Sequence, residues 1–361
     1  MYHEGLPLLS LRPQKGGESA SPLGDNHGRR IRYLRLAITD RCHLRCRYCM
    51  PESGIVPVDH AELLTYEEMA RLVRLLLPPG INKVRITGGE PFARRDCLKF
   101  LRSLKELGVP FLHLTTNGVE TWRYLYELRA LGISGLNLSL DSLNRQRFAA
   151  ITRRDHLTEA LKTLHGALAL GIPLKINTVA LSDLSDQEIR QLAGLAREHP
   201  ITVRFIEPMA FSGTSDPEAP VGEPLPVRLA RLFPEAWGIS PSGRAQGVAQ
   251  IFAPPGFRGK IGFIAGHSRS FCGRCDKIRV TATGMLKNCL YDNGVCDLRR
   301  LLRDGAGDEE IVQAIRAAVG RRHLDGHLAE SRCAPARALL LSTQAGADRR
   351  LRQPSMATIG G

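Results

Sequence analysis

No stretch of this sequence approaches about 18 uninterrupted apolar residues, which argues against a membrane-spanning helix. The start has no basic segment followed by a long apolar run, and Leu6 to Leu11 is too short to act as a secretory signal. A cytoplasmic chain is therefore expected, with no membrane partner. Aromatic residues are scarce at 6%, and none are regularly interleaved with cationic ones. Stacking of single-stranded nucleic acid is correspondingly disfavoured. No internal repeat of about 20–50 residues is present, so a solenoid or propeller is not indicated. With 43% hydrophobic and 24% charged residues, the composition excludes wholesale disorder, collagen and coiled coil. The 361 residues suffice for a buried core and suggest about two domains.

Cysteine is present, but in an odd number, nine. Without an export signal, a disulfide framework is a poor reading, and metal or catalytic use is better. Seven of the nine fall into two groups: Cys42, Cys46 and Cys49, then Cys272, Cys275, Cys289 and Cys296. Cys97 lies between them and Cys333 follows. The net charge is +14, which favours an anionic partner. Eleven basic residues against three acidic ones lie between Arg244 and Arg303, the stretch that holds the second cysteine group. A focused basic site beside cysteines suits a small phosphorylated ligand at least as well as a nucleic-acid groove.

Residues 1–28, rich in Gly, Pro and Ser, read as a mobile leader. From there to about 212, apolar or β-branched runs alternate with amphipathic stretches. The predicted strands are Tyr33–Thr39, Lys83–Thr87, Phe111–Thr116, Gly135–Leu140, Leu174–Ala180 and Thr202–Ile206. The predicted helices are Tyr66–Leu77, Leu98–Leu107, Arg123–Leu131, Leu157–Leu170 and Asp186–Glu198. Six strands with helices between them imply an α/β fold with a parallel sheet, either open or curled into a partial barrel. Functional groups then belong at the C-terminal strand ends. There the sequence places Thr39-Asp40-Arg41-Cys42, Thr87-Gly88-Gly89-Glu90-Pro91, Thr115-Thr116-Asn117-Gly118, Ser139-Leu140-Asp141 and Glu207-Pro208-Met209. Residues 213–345 read as a smaller second domain, with a helix at Asp308–Val319, and 346–361 as a tail ending in Gly360-Gly361.

Cys42, Cys46 and Cys49 are spaced C-x3-C-x2-C, with Tyr48 before the last. Three thiolates in one loop cannot close a tetrahedral zinc site unaided, although His43 or His60 could complete one. They can hold three corners of a [4Fe–4S] cube and leave the fourth iron open. In Gly88-Gly89-Glu90-Pro91, the glycines allow close approach of backbone to a ligand, and Glu90 can accept from an ammonium group; alone the phrase could be a simple turn. Together, the loop after a first strand and this phrase resemble the radical S-adenosylmethionine superfamily. The resemblance implies a partial six-fold (βα) barrel of the TIM type. It also implies a cofactor chelated by the open iron and cleaved by one electron to a 5′-deoxyadenosyl radical. Tyr48, Gly88, Gly89, Glu90, Ser139 and Met209 resemble cofactor-contacting positions, with Asp141 beside Ser139. A helix N-cap is the plain alternative for Ser139 and Asp141, and core packing for Met209.

Cys272, Cys275 and Cys289 read C-x2-C-x13-C. Cys296 could supply a fourth thiolate to a structural zinc site. However, the two cysteine patterns, the phrases Leu36-Ala37-Ile38-Thr39-Asp40-Arg41-Cys42, Arg85-Ile86-Thr87, Arg204-Phe205-Ile206-Glu207 and Phe271-Cys272-Gly273-Arg274-Cys275, and the Ile359-Gly360-Gly361 end together resemble the GTP 3′,8-cyclase family. The similarity runs over roughly residues 30–361. It implies a second [4Fe–4S] cluster on Cys272, Cys275 and Cys289, with an open iron for the guanine ring. Arg35, Arg85, Thr115, Lys175, Arg204, Lys277 and Arg279 are the implied GTP contacts. Chemically, several cations suit a triphosphate, and Arg grips phosphate with two donors. Lys277 stands where the family commonly has Arg. The implied reaction takes the C3′ hydrogen of GTP, joins C3′ to C8 and begins molybdenum cofactor biosynthesis. The resemblance further implies a downstream cyclic pyranopterin monophosphate synthase, an unspecified electron donor and possibly a homodimer, with no nucleic-acid partner. Two other readings are a radical enzyme with an auxiliary cluster acting on a peptide, and a zinc-bearing nucleic-acid binding protein.

Overall fold

The computed structural model describes residues 21–209, 223–237, 248–266, 269 and 271–332. Six strands follow one another in the first part: β1 (Tyr33–Ala37), β2 (Lys83–Thr87), β3 (Phe111–Thr116), β4 (Gly135–Ser139), β5 (Leu174–Val179) and β6 (Thr202–Ile206). They pair in chain order and all in parallel. Between them run α1 (Tyr66–Leu76), α2 (Cys97–Glu106), α3 (Leu125–Ala130), α4 (Arg145–Thr152), α5 (Leu157–Ala169) and α6 (Asp186–Glu198). Two of these helices begin in full capping boxes. In α1 Thr65 and Glu68 satisfy each other's backbone amides, and in α6 Ser185 and Glu188 do the same.

The strand sequences explain the two faces of the sheet. Side chains alternate with a period of two. Leu34, Leu36, Val84, Ile86, Leu112, Leu114, Leu136, Leu138, Ile176, Val203 and Phe205 are buried in one cluster with the helices' apolar stripes. The alternate positions carry Arg35, Arg85, Thr115, Asn137, Lys175 and Arg204. Arg35 on β1 is electrostatically coupled to Arg204 on β6. In a flat sheet, strands that far apart in order would be separated by roughly 24 Å. The polar faces therefore converge, and the sheet curls into a partial barrel. One cavity confirms the curl: it is lined by Arg35 of β1 together with Asn177 of β5 and Ile206 of β6.

Beyond residue 212 the described elements are α7 (Leu225–Leu232), α8 (Pro234–Trp237), β7 (Gln250–Phe252), β8 (Lys260–Ile264), β9 (Lys277–Val280), β10 (Met285–Lys287), β11 (Cys296–Asp297), α9 (Leu298–Arg303) and α10 (Asp308–Val319). Their strands extend the same sheet. β8 adds in parallel to β6, and β9 adds in parallel to β1. The whole order is β11-β10-β9-β1-β2-β3-β4-β5-β6-β8-β7. The second part thus sits on both edges of the first.

Of the stretch read as a leader, residues 21–28 are described. Most of these residues are exposed, but Leu23 is buried, and its backbone bonds to Pro79 and Ile31. A Gly/Ser-rich context hid one apolar anchor and the tight turn at Asp25–Arg29. Residues 1–20, Cys333 and Gly360-Gly361 lie outside the described residues. Among the described residues no helix is long and apolar enough to cross a membrane.

Candidate active site

The first cysteine trio lies on the loop that leaves β1. The Cys49 amide donates to the Cys46 carbonyl (2.8 Å), and Met50 to the same oxygen (3.1 Å), which folds the loop on itself. Gly88 and Gly89 are packed against this loop. Gly89 donates to the Thr39 carbonyl (2.8 Å) and Glu90 to that of Arg41 (2.7 Å). A Cβ on Gly88 or Gly89 would collide with those same carbonyls. Gly88 also has φ 140°, a conformation that side chains disfavour. The glycines thus allow close approach to the cysteine loop itself.

Glu90 is completely buried. It accepts from the Thr116 hydroxyl (2.8 Å), the Asn117 amide (2.7 Å) and the Phe92 amide (3.3 Å). Burial pushes its carboxyl up to about 7 despite these donors. Asn117 also points its side-chain amide at the Cys42 sulfur (3.5 Å). Burial and then Glu90 push the Cys42 thiol up to about 11. Cys46 is raised well above its ordinary value by burial, Asp141 and the two neighbouring thiols. Tyr48 donates to Asp141 (2.8 Å), and Asp141 also accepts from the Val179 amide (2.8 Å). Burial lifts Asp141 to about 6. The cap of α4 is Asn144, so neither Ser139 nor Asp141 serves as its N-cap.

The second trio surrounds the barrel cavity. Cys272, Cys275 and Cys289 all line it, together with Arg35, Lys277 and Arg279. Met209 also lines this cavity and packs, as Cys289 does, against the Tyr291–Ala329 cluster, so it lies on the side of the second trio. Cys296 is on β11, paired with Leu286, and does not line the cavity. The Lys277 amine lies 5.3 Å from the Tyr33 ring centre and 3.7 Å from Asp276, and makes no hydrogen bond.

The barrel interior is strongly cationic. Arg35 is brought down to about 9 by burial and by Arg279, Arg85 and Arg204. Burial and Arg85 bring Arg204 to about 10, and Arg204 donates to Asn177 (2.6 Å). Lys175 falls to about 8 through burial and Arg204. Arg85, 4% exposed, donates to the Tyr33 hydroxyl, the Leu114 carbonyl (3.1 Å) and Thr115 (3.2 Å). Buried cations in such numbers require an anionic guest or lost protons.

Some participants were missed in the sequence. Tyr33 shares the inner face with Arg35, two positions away on the strand, and the period of two could have found it. Asn117 lay in a phrase already noted at the strand end. Arg29 and Arg322, which bond to the second cysteine turn, carry no local signal.

Both trios fit iron–sulfur clusters by their donor sets. None of the six cysteines is in a disulfide. Among the described residues, no three His, Cys, Asp or Glu side chains converge on a single metal ion. Three thiolates leave a tetrahedral zinc site one ligand short, whereas a cube takes one thiolate on each of three irons.

Comparison with known proteins agrees with this chemistry. Residues 36–196 match the Radical SAM superfamily, and residues 201–328 match Molybdenum Cofactor Synthesis C. The chain thus has the radical S-adenosylmethionine fold, a class that implies one [4Fe–4S] cluster and S-adenosylmethionine. A solved structure of Streptococcus suis SuiB bound to S-adenosylmethionine shares the fold, at TM-score 0.56 and 16% identity over 82% of this chain and 68% of that one. GTP 3′,8-cyclase of Moorella thermoacetica is 39% identical, covering 84% of this chain and 95% of that protein. Molybdenum cofactor biosynthesis protein 1 of Bos taurus is 40% identical over 88% of this chain, which spans about half (52%) of that longer protein. This chain belongs to the GTP 3′,8-cyclase family.

Proposed function

We propose that the chain is a GTP 3′,8-cyclase, a lyase that converts GTP to 3′,8-cyclo-7,8-dihydro-GTP as the first step of molybdenum cofactor biosynthesis. The observation that carries this is a single cavity combining three cysteines with Arg35, Lys277 and Arg279. Cys42, Cys46 and Cys49 would hold the first cluster, and Cys272, Cys275 and Cys289 a second. When bound, the first cluster and S-adenosylmethionine supply the 5′-deoxyadenosyl radical that removes the C3′ hydrogen.

The protein's own part is to bind, orient and exclude water. Tyr48, Gly88, Gly89, Glu90, Ser139 and Met209 are assigned to the cofactor. Glu90 comes with three donors already engaged, which leaves about one acceptor site of a carboxylate's four for an ammonium group. Met209 would reach the cofactor from the side of the second trio. Arg35, Arg85, Thr115, Lys175, Arg204, Lys277 and Arg279 are assigned to GTP. Arg85 already spans Thr115 and Tyr33, so its fork is fixed before a triphosphate arrives. Preorganised donors bind the charged group without reorganisation. A division of labour follows, with radical generation in 29–212 and the guanine side in 213–345. A reducing cytoplasm would keep the free thiols available. A product made here would pass to a cyclic pyranopterin monophosphate synthase.

The test is 5′-deoxyadenosine formation by the anaerobically reconstituted, reduced chain with and without GTP. Formation that requires GTP is expected. Equal formation without it would reopen the substrate, including the peptide reading. Bound zinc with no iron and no product would remove the enzyme reading.

A further inference from the structure

The second cysteine turn is tied to an element that neither cysteine pattern announces. Residues 24–30 form a small turn closed by a bridge between Gly24 and Arg30. Within it, Asp25 accepts from the His27 and Arg29 amides, both at 2.9 Å, and from the Arg29 guanidinium. Arg29 then reaches across the molecule. It donates to the carbonyls of Cys272 (2.9 Å), His323 (2.9 Å) and Leu324 (2.7 Å). The segment it grips supplies donors to two of these sulfurs, beside the Lys277 amide on Cys275 and the Tyr291 amide on Cys289. Arg322 donates to the Cys275 sulfur (3.1 Å) and carbonyl (3.0 Å), and the Gly326 amide donates to the Cys272 sulfur (3.3 Å). Arg322 is 4% exposed, lies 3.8 Å from Asp25, and has its own carbonyl bonded to His27 (3.0 Å).

A buried guanidinium with a donor on a thiolate removes electron density from that sulfur. Hydrogen bonds and net charge around the sulfurs set the potential of a cluster. We propose that Arg322 is a positioning residue for the second iron–sulfur cluster, raising its reduction potential through Cys275, and that the Asp25–Arg29 turn is the strap that holds it there. This rests on the assignment of a second cluster to Cys272, Cys275 and Cys289. Gln at 322 keeps a donor but loses the charge, Lys keeps the charge but loses the fork, and Lys at 29 loses the three-carbonyl grip.

The experiment uses the full chain, reconstituted anaerobically, with iron counting and a redox titration followed by electron paramagnetic resonance. Signals that S-adenosylmethionine does not perturb report the second cluster. Wild type is expected to hold about eight irons. Arg322→Gln is expected to shift the second cluster negative by at least tenfold in its one-electron equilibrium, about 59 mV. Arg322→Lys should fall between the two. Arg29→Lys should lose the second cluster selectively, leaving about four irons and an intact response to S-adenosylmethionine. About four irons in the wild type would defeat the second-cluster assignment, and the proposal with it. Eight irons with an unmoved midpoint in Arg322→Gln would overturn the proposal alone. Loss of both clusters together in Arg29→Lys would overturn the strap.

Discussion

Tyr33 shows how the cationic interior acts on a single group. Burial alone would push its phenol up, but Arg85, Arg35 and Lys83 outweigh burial and bring it down to about 7. A depressed acid stabilises the fold in its charged form. That contribution is full above the ordinary value of 10.0 and is lost as pH falls through about 7. The apo chain, measured against Tyr33→Phe by near-ultraviolet difference absorbance, should therefore show one tyrosine ionising near pH 7. Addition of GTP should move that ionisation upward, because a triphosphate would share the same cations. An ionisation seen only near the ordinary value would contradict the electrostatic picture. Lys277 offers a second test. Its amine sits over the Tyr33 ring without a hydrogen bond. Lys277→Arg would add a two-pronged donor, worth roughly one charge-assisted bond, so GTP should bind roughly tenfold tighter by direct titration. Equal or weaker binding would mean that this position does not reach the phosphates.

At the level of elements, the β2 end and the β1 loop act as one unit. An added methyl at Gly89 meets the Arg41 carbonyl. Gly89→Ala should cost about 1–3 kcal/mol from overpacking. It should also displace the Cys42–Cys49 loop, so iron falls by about four per chain while the second trio keeps its share. Retention of all the iron would show that the loop tolerates the shift. This contact also illustrates what sequence could not convey. The Gly-Gly-Glu phrase was legible as a close-approach site, yet what approaches is the neighbouring loop. Strands β2, β3 and β6 and helices α6 and α10 were legible to the residue, because alternation or an apolar stripe marked them and a capping box fixes the start of α6. Helix α4 was not, since only Phe148, Ile151 and Thr152 of its eight residues are buried and no stripe forms. The short β7, β10 and β11 carry too few residues to show a period. The cysteine trios were legible as patterns, whereas Arg29 acts on Cys272 across 243 residues and Arg322 on Cys275 across 47, and neither leaves a local trace.

For the whole molecule, the sheet order determines what can fold alone. The sequence suggests a second domain after residue 212, because Pro and Gly become frequent and the βα rhythm stops. In space, β8 lies on β6 and β9 lies on β1, at opposite sides of the six-stranded first part. Neither pairs with the other, so a fragment of 213–361 would leave both with an unpaired inner edge. The helices give the same answer. Arg71 and Arg74 of α1 both bond Asp308 at the start of α10 (2.8 and 2.7 Å), and Arg303 bonds Glu68 (2.8 Å). Ile311, Ile315 and Val319 of α10 share one apolar cluster with Leu72 and Val73 of α1. Removing the first part would return that apolar surface to water at roughly 1.5–3 kcal/mol per large side chain, which exceeds the stability of most domains once a few side chains are counted. The isolated fragment should therefore show no cooperative thermal transition and should be digested rapidly by protease, whereas the full chain resists. Cooperative unfolding of the fragment alone would mean that the strands can find other partners, and that the two parts of the sheet are separable after all.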